Sequence, residues 1–317
     1  MKKVLITGGY GLLGISMVNF FLKKKIKVVI FDYKKSTKRN KFFLKSKKLI
    51  IEKGNFINPN NLLQIFRKHK FDGIFHLGAQ TQVLKAYKNP FETFQTNVVG
   101  TLNLLEILRK KNMNIPFLYS SSDKAYGELK KSFYYEDDKL NAAFPYDASK
   151  SSSDLICQSY SKTYNLKVGI IRSANIFGEC DFNLKRIIPE TIISILKKKK
   201  LEIRSSGKQR RDYIYVEDVC KAYYKVFLKL KNNKQNLLIY NTGSKYNLNA
   251  LQIVKMISKI LNVKENYIVK NNSKAEIQNQ RLNYDKITKE IGWRPTCSLE
   301  NGLKYTVAWY KKNINLF

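Results

Sequence analysis

Residues Thr7-Gly8-Gly9-Tyr10-Gly11-Leu12-Leu13-Gly14 follow a short apolar run, Lys3–Ile6, and open a stretch with helical spacing of apolar residues, Leu12–Leu22. Few patterns constrain a fold more. A glycine turn between a buried strand and a helix lets backbone approach a pyrophosphate, while the N–H groups and partial positive charge of the helix N-terminus face the phosphates. Gly8 suits the tight turn, Gly11 the close approach, and Gly14 the packing of helix on strand. Asp32 ends the next apolar run, 18 residues beyond Gly14. A carboxylate there accepts from the adenosine ribose hydroxyls and repels a 2′-phosphate, so the pattern points to NAD rather than NADP. Lys34 and Lys35 stand close behind it.

Further runs at Val28–Phe31, Leu49–Glu52, Gly73–His76, Phe117–Ser120 and Val168–Ile171 read as buried strands. Helical periods at Asn60–Arg67, Pro90–Lys110 and Tyr146–Tyr164 separate them. Apolar strands alternating with helices predict an α/β fold, a doubly wound parallel sheet of Rossmann type covered on both faces. Ligands of such sheets bind at the carboxyl ends of the strands. After Ser173 the rhythm changes, with helices at Lys185–Lys198, Val216–Leu230, Asn249–Leu261 and Leu299–Lys312 and two or three short strands. We therefore expect a dinucleotide-binding domain over residues 1–173 and a smaller, mostly helical C-terminal substrate lobe over 174–317. Segments near 214–245 are expected to return to the large sheet.

The chain has 317 residues, 44% of them hydrophobic, which is too apolar for a disordered protein. No uninterrupted apolar run reaches the roughly 18 residues of a membrane helix. Lys2 and Lys3 precede an apolar stretch as in a signal peptide, but glycines interrupt it and no small-residue cleavage site follows, so an unprocessed cytoplasmic protein is expected. The net charge of +35 invites a nucleic-acid reading. Yet 49 of the 59 basic residues are scattered lysines, and only ten are the arginines that bidentate recognition prefers. Specific nucleic-acid binding is not expected; attraction to acidic small molecules is. Cys157, Cys180, Cys220 and Cys297 form no CxxC pair, and two histidines cannot build a histidine cluster. Neither a metal site nor a disulfide framework is expected, in keeping with a reducing cytosol.

Tyr146 and Lys150 form YxxxK behind Pro145, which is well placed to open a helix and set both side chains on one face. An ammonium near a phenol favours the phenolate, and a phenolate can take a proton from a substrate hydroxyl as hydride leaves for NAD. The run Ser120-Ser121-Ser122-Asp123-Lys124-Ala125-Tyr126-Gly127 ends the fifth strand, where catalytic groups of such sheets gather.

With its GxxGxxG spacing, the chain resembles the extended short-chain dehydrogenase/reductase family, the NAD-dependent nucleotide-sugar epimerases and dehydratases, nearly end to end. The resemblance places Gly8, Gly11, Leu12, Leu13, Gly14 and Asp32 on the cofactor. His76-Leu77-Gly78-Ala79 is similar to the family's loop along the cofactor, adding Leu77 and Ala79, and Asn97-Val98-Val99-Gly100-Thr101 to its central-helix motif, adding Asn97. Asn55, beside Phe56, stands where the family has an Asp that contacts adenine. Ser122 takes the family's Ser/Thr role beside Tyr146, and Tyr146 and Lys150 also touch NAD. On the substrate side the resemblance implies Gln80, Asn175, Arg186, Arg204, Arg211 and Gln280, and it implies a homodimer paired through the helices at Pro90–Lys110 and Tyr146–Tyr164.

Asp123 and Lys124 select among the family's reactions. Its epimerases generally have small or uncharged residues there, whereas its 4,6-dehydratases have an acid and a base, and Asp-Lys resembles the CDP-glucose branch. Loss of water needs both, because one carbon must lose a proton while its neighbour's hydroxyl gains one. The expected function is an NAD-dependent nucleotide-hexose 4,6-dehydratase, a lyase with CDP-glucose as leading substrate. The alternative is a 4-epimerase or CDP-sugar 2-epimerase. A non-catalytic basic binding protein has no need of Ser122, Tyr146 and Lys150 together.

Overall fold

The computed structural model describes residues 1–33, 37–272 and 277–317. Lys34 and Lys35 lie outside the described residues. The first half runs β1 (Lys3–Thr7), α1 (Leu12–Lys23), β2 (Lys27–Asp32), α2 (Thr37–Asn40), β3 (Leu49–Lys53), α3 (Pro59–Lys68), β4 (Gly73–His76), α4 (Val83–Lys88), α5 (Pro90–Phe94), α6 (Gly100–Lys110), β5 (Phe117–Ser122), α7 (Pro145–Tyr164) and β6 (Val168–Ser173). The second half runs β7 (Asn175–Phe177), α8 (Ile187–Leu196), β8 (Leu201–Ile203), β9 (Arg210–Tyr215), α9 (Val216–Asn232), β10 (Leu237–Thr242), β11 (Asn247–Asn249), α10 (Ala250–Leu261), β12 (Tyr267–Val269), β13 (Asn279–Gln280), α11 (Asp285–Ile291) and α12 (Leu299–Lys312).

Seven strands form one parallel sheet in the order β10-β6-β5-β4-β1-β2-β3. Alternation along each strand explains why it is covered twice. Val4 and Ile6 of β1 join a core with Phe21 of α1 and Val226 of α9, while Leu5 joins the opposite core with Leu62 of α3 and Leu104 of α6. β10 pairs with β6 in parallel, so the chain does come back to the sheet after β9. β9 itself goes elsewhere: with β7, β11 and β13 it builds a small sheet beside the carboxyl ends of β5 and β6. α8, α10 and α12 pack around that sheet, and β8 pairs with β12 at the periphery. No helix among the described residues is long and apolar enough to cross a membrane.

The continuous helix expected over Pro90–Lys110 is interrupted. Its middle, Gln95–Val99, winds as a π-helical turn between α5 and α6. Single π turns usually mark functional sites, and here the extra residue turns Asn97 inward. Its Oδ1 accepts from Gln80 N at 2.8 Å, and its Nδ2 donates to Gln80 O at 3.0 Å and to Ser149 Oγ at 2.8 Å.

Candidate active site

The glycine turn is built for close approach. Gly8 has a φ of +68°, and a Cβ there would stand 2.6 Å from the Gly78 backbone. At Gly14 a Cβ would fall 2.1 Å from the Gly8 carbonyl oxygen, so only glycine lets α1 start here. On its outer side Gly11 is open, and no side chain caps the helix start. Leu12 and Leu13 begin α1, and Asp32 ends β2 next to β1. An open cradle with an acidic residue at the neighbouring strand end fits a dinucleotide of the NAD type.

Around this cradle several expected contacts are inward props. Asn55 Oδ1 accepts from Ile57 N at 3.0 Å, and buried Phe56 packs edge-on to His76 with 5.2 Å between centroids. His76 lies between the Thr7 and Thr101 hydroxyls at 2.7 and 3.0 Å, and burial pulls it down to about 3, so it stays a neutral strut. Leu77 N donates to Thr7 O at 3.3 Å, which holds the loop through Ala79 against β1. Gln80 spends its amide locally, on Gln82 and on Thr93 Oγ1.

The chemical groups stand at the end of β5 and the start of α7. Ser122 Oγ donates to Asp123 Oδ1 at 2.9 Å and accepts from Lys124 N at 3.2 Å. Asp123 is 3% exposed, and its Oδ2 is a buried acceptor with no partner among the described residues. Such an atom is costly unless a ligand supplies a donor. Pro145 does open α7, and Tyr146 and Lys150 are both buried on it. Burial pushes the Tyr146 phenol well above its ordinary range, and Arg186 and the Ser122 hydroxyl oppose that rise. Lys150 reaches back to the strand. Its ammonium donates to Ser120 O at 2.7 Å and lies 5.2 Å over the Tyr119 ring, and burial lowers it to about 8. The positive charge that acts most on the phenol is Arg186, from the segment after β7.

Of the expected substrate residues, Asn175 keeps a buried Nδ2 with no partner among the described residues. Arg186 donates to Ile176 O at 3.0 Å and to Asp181 Oδ2 at 3.1 Å while facing Tyr146. Arg211 on β9 donates to Arg210 O at 2.8 Å and faces Asp147. Arg204 is turned away, closing a bidentate pair with Glu190 at 3.0 and 2.8 Å. Gln280 turns its amide onto the Asp123–Gly127 turn.

Asp147 was not singled out in the sequence, although it directly follows Tyr146. It is 4% exposed, and burial pushes its carboxyl up to about 6, with Lys124 and Arg211 pulling it down and Asp123 adding to the rise. The signal was its position: the acidic residue in the first turn of the helix that carries YxxxK.

Comparison with known proteins agrees with this architecture. A family model described as GDP-mannose 4,6 dehydratase matches residues 5–306. The dTDP-glucose 4,6-dehydratase of Haemophilus influenzae is 30% identical over 340 residues, covering 99% of each chain. Among solved structures, UDP-glucose 4-epimerase of Thermotoga maritima, determined with UDP-glucose, superposes with a TM-score of 0.90 at 26% identity over 98% of this chain and 99% of that one. The dTDP-glucose 4,6-dehydratase of Bacillus anthracis, in complex with NAD, gives 0.88 at 27% identity over 100% and 99% of the two chains. With a Rossmann sheet, a glycine cradle and a match across nearly its whole length, the chain belongs to the NAD-dependent nucleotide-sugar epimerase/dehydratase family of extended short-chain dehydrogenases/reductases.

Proposed function

We propose that the chain is an NAD-dependent nucleotide-hexose 4,6-dehydratase, making a 4-keto-6-deoxy sugar nucleotide with loss of one water. The observation that carries this reading is Asp123, a buried carboxyl with one unpartnered oxygen, held by Ser122 and followed by an amine. When bound, NAD would supply a temporary acceptor for the C4 hydride, which comes back to C6 after water has left. Tyr146 takes the proton of the sugar O4 hydroxyl, with Ser122 holding that oxygen and Arg186 favouring the phenolate. Asp123 gives a proton to the C6 hydroxyl as it departs as water, and Lys124 takes the proton from C5. C6 thus loses its hydroxyl as water and C5 its proton, and Lys124 returns that proton to C5 when hydride comes back to C6.

The Asp-Lys pair, which resembles the CDP-glucose branch, makes CDP-glucose the leading substrate; Asn175, Arg186 and Arg211 are the proposed nucleotide-sugar contacts. Division of labour between residues 1–173 and 174–317, a cytoplasmic location and a homodimer belong to the same proposal. The test is incubation with CDP-glucose, dTDP-glucose, UDP-glucose and GDP-mannose and catalytic NAD, read by mass spectrometry. Loss of one water from CDP-glucose is expected. An isomer of unchanged mass would overturn the reading in favour of an epimerase, the alternative supported by the likeness to UDP-glucose 4-epimerase.

A further inference from the structure

Gln280 lies 156 residues from Lys124, on a two-residue strand that pairs in parallel with β9, opposite Arg211. It is 1% exposed, and its amide is used at both ends. Oε1 accepts from Lys124 Nζ, and Nε2 donates to Asp123 O at 3.1 Å and approaches Gly127 O at 3.4 Å. One amide therefore bridges the first residue of the short 3₁₀ turn and the residue that ends it.

The strand is pinned on every side. Gln280 O accepts from Asn247 Nδ2 at 2.9 Å, Asn279 O from Tyr134 OH at 3.2 Å, and Arg281 O from Tyr134 N at 2.8 Å. Leu282 N donates to Asp212 Oδ2 at 2.9 Å. A side chain on so fixed a backbone has little freedom to turn toward a ligand, and much power to hold what it touches.

Holding Lys124 through an amide rather than a carboxylate has a chemical consequence. An ammonium has three N–H groups, and an oxygen that fixes one of them directs the others, or the lone pair once a proton has left. A neutral oxygen does this without the charge that would hold the proton on the amine. Asp147 on α7 faces the amine; Asp123, in the amine's own turn, and Arg211 on β9 face Asp147 in turn, and Asp212 on β9 faces Asp123 and Arg281. One carboxylate, Asp147, already acts on Lys124, and a neutral anchor from the lobe adds no second negative charge beside the amine.

We propose that Gln280 is a positioning residue through which the substrate lobe aims the Lys124 amine at the C5 proton. The proposal rests on the dehydratase reading, but part of its test does not. Competitive acetylation of the ligand-free protein across pH, with the Lys124 peptide followed by mass spectrometry, reports when that amine loses its proton. In Gln280→Glu the labelling midpoint should move up by about one unit or more, because a carboxylate replaces the amide oxygen. An unchanged midpoint in a folded variant would overturn the proposal, whatever the substrate proves to be.

Gln280→Met keeps the length and removes the acceptor, and it serves if the Glu variant does not fold. With the nucleotide hexose that the wild type dehydrates, kcat for water loss should fall on the order of 100-fold, the usual cost of misplacing a reacting group. The first oxidation, followed as reduced-nicotinamide absorbance in a single turnover, should change less than about threefold, since it depends on Tyr146. Equal losses in both steps would mean a structural role only. A raised KM with unchanged kcat would return Gln280 to nucleotide binding; either result overturns the proposal. If the wild type dehydrates nothing, the functional reading fails while the acetylation arm still decides the placement of Lys124.

Discussion

Arg172 and Asp154 form a bidentate ion pair inside the protein, with Nε–Oδ2 and Nη2–Oδ1 both at 2.9 Å and side chains 2% and 0% exposed. The pair joins β6 to α7, and its surroundings extend the joint: Ser121 Oγ donates to Asp154 Oδ2 at 2.6 Å, and Arg172 Nη1 donates to Tyr126 OH at 3.0 Å and to Glu136 O at 2.8 Å. The helix carrying Tyr146 is thereby registered against the strand carrying Ser122. Arg172→Met leaves the carboxylate buried and unpaired, and should cost about 3–5 kcal/mol in urea unfolding. Adding Asp154→Leu should restore part of that loss; a single variant within about 0.5 kcal/mol of wild type would contradict it.

Dehydratase and epimerase separate at Asp123. Asp123→Asn preserves shape but removes the proton donor, so water loss should drop on the order of 10²–10⁴-fold. On the proposed mechanism the oxidation at C4 uses Tyr146 with Ser122 and Arg186 beside it, and reduced nicotinamide should therefore build up on the enzyme. Tyr146→Phe should abolish that absorbance instead. Unchanged dehydration by Asp123→Asn would remove Asp123 from the chemistry.

Asp147 ties stability to pH. Its folded value, pushed up to about 6 by burial, lies above the ordinary 3.8. Its neutral form is therefore the stabilised one: the contribution is complete below about pH 4 and is lost as pH rises through 6. Asp147→Asn should match wild type near pH 4 and exceed it at pH 7.5, by up to about 3 kcal/mol at about 1.4 kcal/mol per unit. Denaturation at the two pH values measures this difference, and a gain equal at both would show that the charge is not responsible.

The faces of α4, α5 and α7 leave Tyr87, Phe91 and Leu155 at 73%, 76% and 51% exposure. Large exposed apolar side chains grouped on neighbouring helices mark an association surface. A homodimer is expected by light scattering at micromolar concentration, and Leu155→Arg should yield monomer. A monomeric wild type would reject it.

What the sequence determines alone is what local chemistry demands. A side chain at Gly14 would put its Cβ 2.1 Å from the Gly8 carbonyl oxygen, and one at Gly8 would strike the Gly78 backbone, so the cradle was legible in its glycines. Strands covered twice must be apolar on both sides, which made the parallel sheet readable, and Tyr146 and Lys150 share a face because four residues make about one helical turn. Tertiary structure decided the rest. Arg204 faces Glu190, Lys150 faces Ser120 O and Gln280 faces Lys124 because a buried polar atom must find whichever partner the fold brings within reach. The π turn at Gln95–Val99 has the same origin, in the bonds that Asn97 makes to Gln80 and Ser149 from other segments. Asp147 shifts because packing removes its water, a property of everything around it and not of the residues beside it in the chain.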